Sequence, residues 1–138
     1  MKKFFFVLRR RRVRVRRKKA PKKEYLENKE KARALVIEKL NFWREQYIQN
    51  HGIDLKWNKL AIRNTVSRWG SCSSKKNLNF SYKILFLTPP QQDYLIVHEL
   101  CHLKEMNHSK NFWDLVAFTI PNYKNVRNSM KNFGATIS

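Results

Sequence analysis

The sequence predicts a single α+β domain in which a small, mainly antiparallel sheet packs on a long N-terminal helix and on a second, histidine-bearing helix. Three observations carry that expectation. Residues 24–50 place Leu26, Val36, Leu40, Trp43 and Tyr47 at three- and four-residue spacings, the period of a helix with one buried face. Residues 59–64 and 78–87 instead alternate apolar and polar side chains, the period of a strand. Thr88-Pro89-Pro90 then opens a helix, a capping hydroxyl followed by prolines in the first turn. With 138 residues, 42% hydrophobic and 13% aromatic, the chain is long enough for one modest core.

Taken in order, the chain begins with a basic segment. The net charge is +20, and residues 1–23 hold 13 Lys or Arg and no acid. The rest carries 17 basic and 10 acidic side chains, a net of +7. The division expected is therefore a basic tail, 1–23, and a folded domain, 24–138. Arg9 to Lys19, interrupted by Val13 and Val15, suits contact with nucleic acid by counterion release, an edge strand, or a solvated arm. Phe4 to Leu8 is an apolar stretch of five residues that runs straight into Arg9. A secretory signal needs about 7–15 such residues and a membrane span about 18. Cytoplasmic residence is expected, with Cys72 and Cys101 reduced rather than bridged.

Gly52 is the expected stop of the long helix, with His51 beside it at the surface. Leu60 and Ile62 mark the first strand. Leu78, Phe80, Tyr82, Ile84 and Phe86 mark the second. Residues 67–77 between them are rich in Ser, Gly, Asn and Lys and read as a connection, with Gly70 in a tight turn. A hairpin pairing the two strands antiparallel is the economical arrangement, and the long strand's edge would offer main-chain hydrogen bonds to an extended peptide. The histidine-bearing helix is expected from Pro89 to about Glu105, with further helices over about 110–119 and 122–133.

The segment His98-Glu99-Leu100-Cys101-His102 carries the chemistry. Residues i and i+4 share a helix face, roughly 5–6 Å apart at Cβ. Both imidazoles can therefore reach one tetrahedral ion at about 2.0–2.1 Å per zinc–nitrogen bond. Glu99, next to the first ligand, is placed to act as a base toward water at the metal. Glu105 would lie about 10.5 Å along a straight helix from His98, too far to share the ion. His108 reaches it if the chain turns back after His102. Asn107 tolerates a left-handed stop and Ser109 can cap the next helix. Three histidines leave a fourth position open, the arrangement of a catalytic rather than a structural zinc site. Imidazole ligands suit Zn2+ and also accept other first-row ions.

Around these ligands, Arg68 and Tyr94 are candidate contacts for the substrate or the transition state. Tyr94 lies one turn before His98 on the same face. A salt bridge for Arg68 and core packing for Tyr94 are the alternatives. Asp114 is a candidate to orient a ligand ring through its outer nitrogen. Trp69 and Trp113 read as core aromatics and Cys101 as a small buried hydrophobe. Asn79 reads as a ligand contact or a surface residue.

Three blocks together resemble the YgjP-like metallopeptidases, relatives of the SprT-like and WLM zinc proteases and of small gluzincin-type peptidases. The blocks are Arg68-Trp69-Gly70-Ser71-Cys72, then Tyr94 leading into His98-Glu99-Leu100-Cys101-His102, then Asn107-His108-Ser109 with Phe112-Trp113. The resemblance covers about residues 24–133. It implies a zincin-like fold, zinc held by His98, His102 and His108, Glu99 as general base, and a peptide or protein substrate. Glu105 stands where metzincins have a glycine, so the turn before His108 is made in another way. A second reading makes the chain a nucleic-acid-associated metal-binding protein whose basic tail carries the main role. A third makes it a metal-binding module without catalysis.

Overall fold

The computed structural model describes residues 21–65 and 67–131, together with the backbone of Thr136–Ile137. The basic run from Arg9 to Lys19 lies outside the described residues, as does the end of the helix expected to reach Phe133. Helix α1 spans Lys22–His51, strands β1 Leu60–Arg63, β2 Arg68–Cys72 and β3 Leu78–Ser81, and a 3-10 helix Tyr82–Phe86. Helices α2 (Pro89–Cys101), α3 (Lys110–Ala117) and α4 (Tyr123–Met130) follow, and β4 is Thr136–Ile137. The class is α+β, as the periodicities predict. No described helix is long and apolar enough to cross a membrane.

Helix α1 buries Ala32, Val36, Leu40 and Tyr47 and ends at Gly52. Gly52 adopts φ 66, a left-handed conformation that glycine enters without steric penalty, and its N–H bonds the Ile48 carbonyl at 3.0 Å. Leu26, expected on the buried stripe, is 53% exposed. On that turn the inward place belongs to Tyr25, which packs against the core and donates to Ile62 O.

The sheet corrects the expected strand pairing. Its order is β1-β3-β2-β4, with β1 parallel to β3, β2 antiparallel to β3 and β2 parallel to β4. The sheet is therefore mixed rather than mainly antiparallel, and the hairpin joins β2 to β3, not β1 to β3. The turn-rich connection itself contains strand β2. Trp69 drives it into the core, 7% exposed, and Gly70 lies in strand rather than turn. The turn follows at Ser73–Asn77, where Lys76 takes a left-handed φ of 66.

Strand β3 is also shorter than its alternation suggests. At Ser81 the side-chain oxygen accepts from Lys83 N, and the chain tightens into the 3-10 turn. Tyr82 and Ile84 stay buried in that turn, and Phe86 is 62% exposed. Strand β3 has β1 on one side and β2 on the other, so it offers no edge to an added peptide. The outer carbonyls of β1 are also taken: Tyr25 Oη donates to Ile62 O at 2.8 Å, and Arg33 donates to Leu60 O. Both donors stand on α1.

Helix α2 runs through the middle of the fold, against α1, α3, α4 and β2. Every residue from Tyr94 to Cys101 is fully buried. Such a helix must be apolar nearly all round, which leaves His98 and Glu99 conspicuous. Its start has a complete capping box: Gln91 N donates to Thr88 Oγ1, and Thr88 N to Gln91 Oε1.

Candidate metal centre

The centre is built from one helix, one turn and the start of the next helix. Helix α2 ends earlier than expected, at Cys101 with His102 as its cap. The last turn tightens, with Leu103 N on Leu100 O and Lys104 N on Cys101 O. Asn107 is not the left-handed residue expected there, because Lys76 is the one non-glycine with positive φ among the described residues. Lys76 instead reaches across from the β2–β3 turn and donates through Nζ to Leu103 O at 3.2 Å. The chain then doubles back, and Ser109 occupies the N-cap of α3 without a side-chain capping bond.

This route brings His108 onto His98 and His102. His108 Nε2 lies 3.1 Å from His102 Nε2 and 3.2 Å from His98 Nε2. Among the described residues these three histidines form a cluster able to hold a metal ion. Two ligands on a tetrahedral ion with bonds of about 2.0–2.1 Å stand about 3.3 Å apart, so the spacing fits zinc.

The outer nitrogens support the fit. His102 Nδ1 lies 3.0 Å from the Glu105 carbonyl oxygen. A carbonyl only accepts, so Nδ1 carries the proton, and Nε2 of the neutral ring presents its lone pair to the cluster. Glu105 thus serves through its main chain, a role no side chain announces. Tyr94 Oη lies 3.2 Å from His98 Nδ1, and both residues are fully buried. Burial pushes the Tyr94 hydroxyl well above its ordinary pKa and keeps it protonated. Asp114, a candidate for this orienting role, pairs instead with Lys110 at 2.7 Å on the surface.

Aromatic rings wall the cluster. Phe112 stacks on His102 with centroids 4.4 Å apart, and Trp113 stacks on His108 at 5.7 Å. Tyr123 also stacks on Trp113 at 5.0 Å, and Arg127 lies over the same indole at 4.9 Å. Phe112 and Trp113 follow Ser109 at helical spacing, so their place beside His108 was available from the sequence once His108 was accepted as a ligand.

Glu99 is fully buried and faces β2. A Cβ at Gly70 would stand 3.2 Å from Glu99 Oε2, so the strand backbone lies flush against the carboxylate. Burial, with the Glu99 charge adding to it, raises the Cys72 thiol to about 12. Arg68 is exposed at the head of β2, and the register against β4 shifts between it and Gly70. Asn79 is held between neighbours, its Oδ1 accepting from Arg63 Nε and its Nδ2 donating to Ser71 Oγ.

Residues 7–133 match the family described as YgjP-like, metallopeptidase domain. The chain belongs to this family. The matched span of this YgjP-like chain begins within the basic segment and takes in the whole histidine cluster. Among solved structures the chain is similar to abylysin, the metallopeptidase zymogen of Pyrococcus abyssi, with 23% identity and a TM-score of 0.61. That likeness covers 75% of this chain and 99% of abylysin, and it speaks for the fold. No curated protein matches the sequence.

Proposed function

We propose that this YgjP-like metallopeptidase domain is a zinc enzyme that hydrolyses peptide bonds in a peptide or protein, with His98, His102 and His108 as ligands and Glu99 as general base. The observation that carries the reading is the convergence of three Nε2 atoms, with spacings of 3.1 and 3.2 Å, beside a buried carboxylate on the same helix. Zinc bound there would lower the pKa of a water at its open position and polarise the scissile carbonyl.

The protein's own groups do the rest. Glu99 accepts the proton of the attacking water at a carboxylate oxygen and returns it to the leaving amine. The Gly70 backbone limits where that carboxylate can stand. Phe112 and Trp113 shield the imidazoles from bulk water. Arg68 is the candidate to meet a substrate carbonyl or its developing negative charge from the β2 side. Cytoplasmic residence belongs to the same reading, with Cys72 and Cys101 kept as thiols. The nucleic-acid reading depends on residues outside the described part and enters no step.

Metal analysis and peptidase assays on wild type and Glu99→Gln test this reading. We expect about one zinc per chain in both proteins, and cleavage of a labelled unstructured protein reduced by about 10²–10⁴-fold in the variant. Equal activity would remove Glu99 as the base. A wild type that takes up no zinc would end the zinc-enzyme reading.

A further inference from the structure

We infer that Tyr94 is a positioning residue for the metal centre: its hydroxyl accepts the Nδ1 proton of His98 and so holds that ring in the tautomer that turns a bare Nε2 toward the metal. The inference rests on the three-histidine reading and assigns Tyr94 a place behind the ligand instead of a contact with substrate.

The geometry is specific. Tyr94 precedes His98 by one helical turn, so the two rings meet on one face of α2, with centroids 5.6 Å apart and planes at 72°. The hydroxyl lies 3.2 Å from Nδ1, on the opposite edge of the imidazole from the nitrogen that joins the cluster. Neither residue has any exposure, so bulk water cannot replace the hydroxyl.

A neutral imidazole carries one proton. If Nδ1 holds it, Nε2 is free to ligate; if Nε2 holds it, the ring cannot bind metal through that atom. His102 has this choice made by a main-chain carbonyl, which accepts and never donates. The phenol behind His98 can do either. With zinc at Nε2 the proton must sit on Nδ1, and Tyr94 Oη is the acceptor in place to receive it. Removing that oxygen takes a hydrogen bond from the Nδ1–H of the ligating tautomer. Tyr94 therefore contributes to metal affinity and ring orientation.

Tyr94→Phe keeps the ring and removes the oxygen. Zinc affinity is measured by competition with a chromophoric chelator, which needs no substrate. Tyr47→Phe is the control. Tyr47 is also fully buried, and its hydroxyl donates to Leu115 O at 2.6 Å and contacts Cys101 Sγ and Thr119 Oγ1, none of them a histidine nitrogen. We expect Tyr94→Phe to weaken zinc about ten- to a hundredfold, and Tyr47→Phe to lower the melting temperature while holding zinc affinity within twofold of wild type.

Wild-type affinity in Tyr94→Phe, or an equal loss in both variants, would overturn the inference and leave the zinc-enzyme reading standing. A wild type that binds no zinc would overturn both. If Tyr94→Phe fails to fold, nitrogen-15 shifts of the imidazoles in the zinc-loaded wild type decide the matter. A protonated Nδ1 on His98 with a proton slow to exchange supports the inference, and an unprotonated or fast-exchanging Nδ1 refutes it.

Discussion

Replacing Gly70 with alanine tests whether β2 grips the Glu99 carboxylate. The added carbon would lie 3.2 Å from the Asn79 carbonyl oxygen, 3.2 Å from Glu99 Oε2 and 3.3 Å from Glu99 Cγ. Comfortable non-bonded contacts of carbon are about 3.5–4.0 Å, so the neighbours must yield by a few tenths of an ångström. Asn79 O belongs to the main chain of β3, which is hydrogen-bonded on both sides and cannot move alone. The carboxylate is the softer neighbour, and it is the group on which the proposed chemistry depends.

The stability terms partly offset. Gly70 is not among the residues with positive φ, so alanine fits its backbone and recovers about 0.5–1 kcal/mol of chain entropy. Overpacking costs about 1–3 kcal/mol. The balance runs from about zero to a net loss of about 2.5 kcal/mol. A misplacement of about 1 Å can cost about 10²-fold, so a shift of a few tenths costs several-fold in rate. We expect kcat/KM to fall about three- to tenfold with zinc content unchanged, since none of the three close contacts is with a histidine. Peptidase assays, metal analysis and urea unfolding on the same preparation separate these effects. Full activity in the alanine variant would refute the reasoning, either because β2 does not set the carboxylate or because Glu99 is not the base.

Gly52→Ala should act through the backbone alone: nothing lies within 4 Å of the added carbon, but φ is 66. The expected loss is about 1 kcal/mol in urea unfolding, with activity unaltered. Alkaline pH should weaken the metal-free fold through Cys101, whose thiol burial raises from 9.0 to about 12. A raised folded pKa gives stability that is complete below pH 9.0 and is lost as pH climbs through 12. The loss is on the order of 3–4 kcal/mol at the top of that window. Urea midpoints at pH 8 and 11 should therefore converge in Cys101→Ala relative to wild type.

The histidine cluster was legible because its geometry is local. A helical repeat joins His98 to His102, and one reversal adds His108, all within eleven residues. The long helix was legible for the same reason, and its glycine stop stands at position 52. The sheet was not, because its pairings join distant segments. Strand β2 pairs with β3 across a turn and with β4 more than sixty residues on. Its own sequence, Arg68-Trp69-Gly70-Ser71-Cys72, has no alternation strong enough to report a strand. The alternation from Leu78 to Phe86 persisted past the strand's end because Tyr82 and Ile84 still reach the core from a 3-10 turn packed on α1.

Gly70 shows why a residue can be recognised as special and still be misread. A tight turn and a close approach of backbone to a neighbour both require the absence of a side chain, and the surrounding serines favour the turn. What separates them is Glu99, 29 positions away in sequence and in direct contact in the fold. The two glycines at 52 and 70 are thus opposites. At Gly52 a side chain would meet open space and an unsuitable φ; at Gly70 it would meet a suitable φ and the candidate catalytic carboxylate. The outer partners of the imidazoles divide in the same way. Tyr94 is a side chain one turn from His98 and meets it on the face that counting gives, whereas the carbonyl beside His102 Nδ1 belongs to the peptide of Glu105 and would be there with any residue at that position. Residues that act by what their side chains reach can be read from spacing. Those that act through their main chain, or by having no side chain at all, become visible only when the fold brings their neighbours to them.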